Sequence, residues 1–373
     1  MTLAKASPES LFAALSVVRE DVRAMTAYVV PDPKGLIKLD AMENPYGVPD
    51  ELKAELGRRL SEVALNRYPD PRANALRAMI SNRVRLEPGL DLLLGNGSDE
   101  LINVIVFSCA KPGASVMTVG PSFVMYRAAA KMARIGCIEV PLAPDFSLDF
   151  DRTLSEMEKH NPAVTFIAYP NNPTGTLFDR TQIEALIDAA EGLVVIDEAY
   201  EAFSPDTFLG SVIRHPRLLL LRTFSKIGLA GIRLGYLIGA TPLIAEFDKF
   251  RPPYNINALT QCCARFMIEN QDVLKAQADL IIAEREKLKA TMSTMPGVEV
   301  FPSSANFLLF RVTSAEAAPA PTLMASLKKR GILIKDMSEA HPLLANCLRV
   351  TVSTSDENLA FTRALEDALR ELR

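Results

Sequence analysis

The run Leu193-Val194-Val195-Ile196 is followed directly by Asp197-Glu198-Ala199-Tyr200. A continuous apolar run without polar alternation is typical of a strand that is buried on both faces. Such strands belong to parallel sheets that are covered by helices. Asp197 therefore ends a predicted central strand, and open α/β sheets bind their ligands at the carboxyl ends of their strands.

Similar apolar runs flank this segment at residues 115–119, 164–169 and 218–221. A helical stretch at residues 180–190 lies between two of them, and a short apolar run at 92–94 precedes a glycine turn and a further apolar helix. This alternation of strands and helices predicts an α/β fold with a mostly parallel central sheet.

Changes in composition predict an N-terminal arm and two domains. The breaker cluster Pro31-Asp32-Pro33-Lys34-Gly35 closes the arm, residues 1–35, which begins with a predicted helix at 8–20. A large domain spans residues 36–257, and a smaller α+β domain spans residues 258–373. The elements predicted in the smaller domain are a long helical region at 258–295, strands at 306–312, 332–335 and 348–352, and helices at 321–330 and from 356 onward.

The bulk composition excludes several classes of protein. A net charge of -4 over 373 residues gives no electrostatic argument for binding nucleic acid or an anionic membrane surface. The N-terminus has no apolar signal core, and no apolar run approaches the roughly 20 residues of a membrane span. The cysteine count of 5, without a CxxC pair, and 3 histidines predict neither disulfides nor a metal site. Free thiols in turn predict a cytoplasmic protein.

A lysine follows the apolar run at 218–221, in the segment Ser225-Lys226-Ile227-Gly228-Leu229-Ala230-Gly231-Ile232-Arg233. The glycines allow close approach of the backbone to a ligand, and Arg233 lies near enough to be aimed at the same ligand. A lysine that is partly desolvated beside cations has a lowered pKa and can form a Schiff base. Alternatively, Lys226 is an ordinary surface lysine in a loop.

Asp197 and Asn172 follow different predicted strands of the same sheet. Asp197 supplies a carboxylate that could keep a pyridine nitrogen protonated, or it simply caps the next helix. Tyr200 is predicted to share a helical face with Asp197, or to be a core tyrosine. Asn172 lies in the turn Asn171-Asn172-Pro173-Thr174-Gly175, a sequence that turn chemistry alone can explain.

The segment Gly95-Asn96-Gly97-Ser98-Asp99-Glu100 connects a predicted strand to a helix. It lacks the last glycine of the GxGxxG dinucleotide pattern, because position 100 is glutamate. It is better interpreted as a helix N-terminus whose backbone amides and Ser98 hydroxyl bind one phosphate, or as a helix cap without a ligand.

Taken together, these segments supply the groups that hold pyridoxal 5'-phosphate (PLP). They offer an amine, a carboxylate for the pyridine nitrogen, hydrogen bonds for the phenolic oxygen, and serine and arginine for the phosphate. A plain nicotinamide-binding Rossmann protein stays open as an alternative, and its purified form would lack the yellow colour of PLP. A PLP-binding regulator would need a DNA-binding module, for which the residues before 36 are too few and lack a basic patch.

Further segments carry a family resemblance. They are Val22-Arg23-Ala24-Met25-Thr26-Ala27-Tyr28, Asp40-Ala41-Met42-Glu43-Asn44-Pro45-Tyr46, Asn66-Arg67-Tyr68-Pro69, Gly120-Pro121-Ser122-Phe123-Val124-Met125-Tyr126 and Cys347-Leu348-Arg349-Val350-Thr351-Val352. With them, nearly the whole chain resembles the histidinol-phosphate aminotransferases, a family of fold type I PLP enzymes. The Lys, Asp and Asn-Pro-Thr-Gly set is common to many aminotransferases of this fold, whereas the Tyr28 and Tyr68 contexts are more selective.

The resemblance implies a role for each matching residue. Lys226 would join PLP, with Asp197 and Tyr200 as the other catalytic residues. The residues implied around the cofactor are Gly97, Ser98, Asp99, Phe123, Asn172, Ser225, Arg233 and Tyr68, and those implied around the substrate are Tyr28, Asn44, Lys335 and Arg349. Tyr68 and Tyr28 would act across a homodimer with shared active sites, and the N-terminal arm, residues 1–35, would lie at the dimer interface. Two positions depart from the family pattern: Phe123 is often tyrosine, and Lys335 is arginine in many members.

The implied reaction is a ping-pong transamination between histidinol phosphate and 2-oxoglutarate, with glutamate as the other amine donor, in histidine biosynthesis. Arg349 and Lys335 would accept either phosphate or carboxylate, so that one pocket could serve both donors. Two alternatives with the same fold stay open, namely an aromatic amino acid aminotransferase and a PLP-dependent decarboxylase.

Overall fold

A computed structural model of the chain describes residues 8–27, 31–313 and 319–371. The chain divides into two compact units, Met1–Lys34 and Gly35–Arg373. The first unit contains the helices α1 (Pro8–Ser16) and α2 (Glu20–Arg23). The place of the N-terminal arm at a dimer interface remains a prediction.

The second unit contains all of the strands found in the described ranges. In chain order these are β1 (Ile37–Lys38), β2 (Leu90–Gly95), β3 (Ser115–Gly120), β4 (Gly136–Pro141), β5 (Val164–Ala168), β6 (Leu193–Asp197), β7 (Leu218–Thr223), β8 (Gly235–Ala240), β9 (Val298–Val300), β10 (Phe307–Val312), β11 (Ile332–Leu333), β12 (Lys335–Asp336) and β13 (Cys347–Thr351).

The helices of this unit cover its sheets, and several begin at a side chain that caps their first amides. Asp149, Asp179 and Asn257 each accept a hydrogen bond from the first turn that follows. The helices are α3 (Asp50–Ser61), α4 (Asn74–Val84), α5 (Ser98–Cys109), α6 (Met125–Ala133), α7 (Phe150–His160), α8 (Arg180–Ala189), α9 (Thr241–Asp248), α10 (Ala258–Glu269), α11 (Gln271–Ser293), α12 (Pro319–Lys329) and α13 (Ser355–Glu371).

Within the described residues, the large sheet has the strand order β2-β8-β7-β6-β5-β3-β4. Its pairs are parallel except those of β8, which runs antiparallel to β2 and to β7. The central strands are buried on both faces, with Phe166 and Val195 packing toward one helical layer and Ile167 and Ile196 toward the other. The α/β class and the mostly parallel sheet are therefore confirmed.

A smaller antiparallel sheet, β12-β13-β10-β9, carries the C-terminal part of the chain, and β1 pairs in parallel with β11. Buried Phe307, Phe310 and Val350 form its core with residues of α13. Lys335 pairs directly with Arg349, so their side chains share one face of this sheet. The domain boundaries at 36–257 and 258–373 remain predictions.

The structure corrects several details of the predicted elements. The predicted helix at 8–20 is two helices, α1 and α2, and the predicted strand at 332–335 is two short strands, β11 and β12, in different sheets. The helical region at 258–295 is also two helices, because α10 ends where the Asn270 side chain donates a hydrogen bond to the Phe266 carbonyl.

Strands β4, β8 and β9 were not predicted, and glycines explain why β8 was missed. A Cβ on Gly235 would lie 2.8 Å from the Ser98 amide nitrogen, and one on Gly239 would lie 2.5 Å from Leu219, so these glycines serve packing within a strand.

A buried ion pair stabilises the strand ends of β6 and β7. The Arg222 guanidinium donates to Glu198 Oε2 at 2.7 and 2.9 Å, and Glu198 also accepts from the Phe208 amide at 2.6 Å. The Arg222 and Glu198 side chains are 7% and 0% exposed. If one of them is removed, the charge that remains is therefore buried without water and without a partner.

We expect Arg222→Met to lower the free energy of unfolding by about 3–5 kcal/mol, because it leaves the Glu198 charge buried without its cation. Denaturant unfolding monitored by circular dichroism measures this loss. Arg370→Met, which breaks an exposed pair with Glu366, is the matched control and should cost less than about 1 kcal/mol. Equal losses in the two variants would contradict a special role for the buried pair.

Candidate active site

The carboxyl ends of β5, β6 and β7 and the N-terminus of α5 surround one cleft. The cleft is lined by Met42, Ser98, Asp99, Phe123, Tyr126, Ala168, Pro170, Asn172, Asp197, Ala199, Tyr200, Thr223, Ser225, Lys226 and Arg233.

Lys226 enters the cleft from a tight turn, Ser225–Leu229, that follows β7. Gly228 has a φ of 125°, and a Cβ there would lie 2.9 Å from the Asn44 amide nitrogen, so this turn requires glycine. The Lys226 Nζ donates to the Ala41 carbonyl at 3.4 Å and lies 5.9 Å from the centre of the Tyr200 ring. Burial, and secondarily the charge of Arg349, lower the pKa of the Lys226 amine to about 8.

This lowered pKa predicts an unusually reactive amine. At pH 8 about half of the Lys226 amine is neutral, against less than about 1% for an ordinary lysine. We therefore expect acetic anhydride labelling of the cofactor-free protein, read by peptide mass spectrometry, to rise with pH and reach half its maximum near pH 8 at Lys226. Lys111, an exposed lysine outside the cleft, is the control. Coincident profiles for the two lysines would contradict the prediction.

Asp197 ends β6 and is 4% exposed. Its Oδ2 accepts from the Tyr126 hydroxyl at 2.7 Å, and its Oδ1 accepts from the Ala199 amide at 3.0 Å. Burial raises the pKa of this carboxyl to about 6, although both hydrogen bonds oppose the rise. Asp197 is thus an anion at neutral pH in a site that excludes most water.

Tyr200, Asn172 and Arg349 form a buried chain beside Asp197. The Asn172 Nδ2 donates to the Tyr200 hydroxyl at 3.1 Å, and Arg349 donates to Asn172 Oδ1 at 2.6 Å. Tyr200 follows β6 through a turn and precedes a short 3₁₀ helix, Glu201–Phe203. The prediction that Tyr200 and Asp197 share a helical face was therefore wrong, although both side chains do line the cleft.

Polar and cationic groups gather at the end of the cleft formed by α5. The Arg233 guanidinium donates to Ser225 Oγ at 3.4 Å and to Asp99 Oδ2 at 3.2 Å. Ser98 begins α5, and Gly97 before it has a φ of 85°, with the guanidinium 2.5 Å from where its Cβ would stand. The helix N-terminus and Arg233 together make this end suitable for a phosphate.

The wall of the cleft next to β3 carries Phe123, as the resemblance implied. Its ring packs edge-on against Tyr126, with 5.7 Å between the ring centres. An aromatic side chain in this place can stack on a planar ligand but offers no hydroxyl.

Five other predicted residues in the described ranges, Asn44, Tyr68, Gly97, Lys335 and Arg349, lie outside the cleft lining. Arg349 is 7% exposed behind Asn172, and its second nitrogen donates to the Asp40 carbonyl at 3.2 Å. The Asn44 amide nitrogen donates to the Ile227 carbonyl at 3.0 Å, so it anchors its own segment beside Lys226. Tyr68 is 81% exposed and stacks on Tyr254. Tyr28 lies outside the described residues.

No role was predicted for six residues of the lining, namely Met42, Tyr126, Ala168, Pro170, Ala199 and Thr223. Met42 has a φ of 52°, which is uncommon for a residue with a side chain. The Thr223 hydroxyl lies 3.0 Å from Ser225 Oγ. Two signals for the place of Tyr126 in the site were available, since it follows the carboxyl end of β3 and belongs to a segment that carries the family resemblance.

The helices in the described ranges include none with the length and apolar character that crossing a membrane requires.

Comparison with known proteins agrees with this geometry. The family model for aminotransferase class I and II matches residues 34–365. The chain is 51% identical over 360 residues to histidinol-phosphate aminotransferase 1 of Ralstonia nicotianae, covering 95% of each protein. It is 49% identical over 354 residues to histidinol-phosphate aminotransferase 1 of Burkholderia lata, covering 95% of this chain and 98% of the relative.

A solved structure shares the fold. The histidinol-phosphate aminotransferase of Sinorhizobium meliloti, in complex with pyridoxal-5'-phosphate, superposes with a TM-score of 0.86 over 97% of this chain and 100% of that chain, at 23% identity. Its resemblance at this level of identity concerns the fold, whereas the two relatives above establish the family. The chain is an aminotransferase of class I and II, and within that class it belongs to the histidinol-phosphate aminotransferase family.

Proposed function

We propose that this aminotransferase binds PLP through Lys226 and exchanges the amino group between L-histidinol phosphate and 2-oxoglutarate in a ping-pong reaction. The observation that carries the proposal is the cleft itself, which is lined by a half-buried amine, a buried carboxylate and an arginine at a helix N-terminus. Identity of about half over 95% of the chain with histidinol-phosphate aminotransferases supports the choice of substrate.

The chemistry of the cleft fits each part of PLP. The Lys226 amine matches the aldehyde, and Asp197 matches a protonated pyridine nitrogen. Tyr200 and Asn172 offer hydrogen bonds to a phenolic oxygen, and Phe123 offers a face for the ring. Ser98, Asp99, Ser225 and Arg233 line the end that suits the phosphate, and Gly97 lies against the Arg233 guanidinium.

When bound, PLP supplies an aldehyde that joins amines and a cationic ring that withdraws electrons from the amine-bearing carbon of the substrate. Lys226 Nζ accepts the proton that leaves this carbon and later returns it, as general base and then general acid. A pKa of about 8 suits both tasks near neutral pH. The buried Asp197 favours the cationic form of the ring through its negative charge.

One pocket must accept a phosphate from histidinol phosphate and a carboxylate from glutamate. Arg349 and Lys335 are the proposed partners of both anions, which is supported by their lying on one face of the small sheet and by the ability of each to pair with either anion. Asn44 and Tyr28 complete the proposed substrate site.

The proposal includes a homodimer in a reducing compartment such as the cytoplasm. Tyr68, exposed and stacked on Tyr254, would reach the phosphate of the neighbouring active site. The odd number of cysteines, 5, favours a compartment in which thiols stay reduced.

Purified PLP-loaded enzyme tests the substrate directly when it is assayed with histidinol phosphate, phenylalanine and threonine phosphate. We expect kcat/KM for histidinol phosphate to exceed that for phenylalanine by about 100-fold or more, because the single carboxylate of phenylalanine offers the two cations fewer charge-assisted hydrogen bonds than a phosphate does. Preference for phenylalanine would favour an aromatic aminotransferase, and release of carbon dioxide from threonine phosphate would favour a decarboxylase. Either result would overturn the proposed substrate.

A further inference from the structure

The ring of Tyr126, one of the lining residues, is held in place by the residues around it. It lies on α6, and its side chain is fully buried. The ring stacks on Phe166 with 4.6 Å between ring centres and an angle of 9°, and Phe123 packs against it edge-on at 83°. Contacts on two sides fix the ring, so the direction of its hydroxyl is also fixed.

This hydroxyl donates to Asp197 Oδ2 at 2.7 Å, while the Ala199 amide donates to Oδ1. Burial, together with the charge of Asp197, raises the pKa of the Tyr126 hydroxyl well above its ordinary value, so Tyr126 remains a donor at every working pH. Asp99 and Glu198 are the nearby negative charges, and both disfavour ionisation of Asp197. The hydrogen bonds from Tyr126 and Ala199 lower the pKa of Asp197, whereas burial and these two charges raise it.

We propose that Tyr126 is a positioning residue, which holds Asp197 ionised and aimed into the cleft so that Asp197 can pair with the protonated ring nitrogen of PLP. This inference rests on the proposed function, because it takes PLP as the ligand of the cleft. Tyr126 would act through Asp197 and would not need to touch the reacting atoms.

The sign of the effect follows from which form of Asp197 the hydroxyl stabilises. A donor to a carboxylate stabilises the anion, so its removal favours the protonated acid. A protonated Asp197 has no negative charge with which to stabilise a protonated ring nitrogen. The ring nitrogen would therefore be protonated less often. PLP would also be held less tightly.

The test compares two buried tyrosines that each donate to an aspartate. Tyr126→Phe removes the hydroxyl and keeps the ring, while Tyr169→Phe removes a hydroxyl that donates to Asp206 at 2.9 Å. The readouts are the ¹⁵N chemical shift of ring-labelled PLP in the holoenzyme and the dissociation constant for PLP. We expect Tyr126→Phe to move the shift toward the neutral-pyridine value and to raise the dissociation constant about tenfold, the effect of one hydrogen bond to a charged group. Tyr169→Phe should match the parent enzyme in both.

A double-mutant cycle with Asp197→Asn separates positioning from packing. If Tyr126 acts through the Asp197 charge, Tyr126→Phe should have little further effect on PLP binding in the Asp197→Asn background. An unchanged shift and dissociation constant in Tyr126→Phe, or an equal loss in both backgrounds, would overturn the inference. If Asp197→Asn alone binds PLP as tightly as the parent, the placement of PLP in the proposed function is wrong as well. This result therefore distinguishes failure of the proposed function from failure of the Tyr126 inference alone. Thermal unfolding of every variant confirms that the fold is intact.

Discussion

An enzyme with alanine at position 226 will lose turnover with histidinol phosphate by about 10³-fold or more, the scale of a missing general base and acid. Lys226 is the amine of the cleft that carries the lowered pKa, and its turn is fixed by Gly228 and by the contact of Asn44 with the Ile227 carbonyl. Alanine leaves this turn in place and removes only the amine. The visible absorbance of lysine-bound PLP should disappear together with turnover.

Two further variants make this result specific. Lys226→Arg keeps a positive charge but has no neutral amine near pH 8, and it should be as inactive as the alanine variant. Lys111→Ala, which removes an exposed lysine outside the cleft, should leave single-turnover rates unchanged. Steady-state transamination by Lys226→Ala at a rate near that of the parent would show that another group moves the proton.

The central part of the fold could be predicted because its signal is local and strong. The apolar runs ending near Asp197 and Asn172 required strands buried on both faces, and parallel strands bring their carboxyl ends to one edge of the sheet. That rule alone places Asp197, Asn172 and the Lys226 turn in one cleft, as the structure has them. Strand β8 was not predicted from the sequence, because its glycines are also typical of turns. In the structure these glycines permit close packing on Ser98 and Leu219.

The missed parts of the site depend on contacts between distant segments. Tyr126 and Asp197 are 71 positions apart, and in the sequence Tyr126 is one more aromatic residue on an amphipathic helix. Arg349 lies on β13 of the small sheet, whereas Asn172, 177 positions away, lies in the turn that follows β5 of the large sheet. The resemblance predicted Arg349 as a substrate ligand, but its hydrogen bond to Asn172 follows only from how the two sheets meet.

Arg349→Ala is expected to slow both half-reactions by about 100-fold or more, because in the proposed site one guanidinium pairs with both substrate anions and the cost of a lost charged contact is about 2–3 kcal/mol. Single-turnover absorbance changes with histidinol phosphate and with glutamate measure the two halves separately. The structure adds a second effect, since the charge of Arg349 contributes to the lowered pKa of Lys226. Its removal should therefore shift the labelling midpoint of the Lys226 amine above pH 8.

Lys335→Ala is the control for Arg349→Ala. Lys335→Ala removes a cation from the same face of the sheet but leaves the bond from Arg349 to Asn172 in place. We expect it to raise KM for both substrates while the labelling midpoint of Lys226 moves less than in Arg349→Ala. Near-normal rates with both substrates in Arg349→Ala would exclude a shared anion site at this arginine. A loss with only one substrate would mean that the enzyme separates phosphate from carboxylate, and Lys335 would then be the first residue to examine for the other anion.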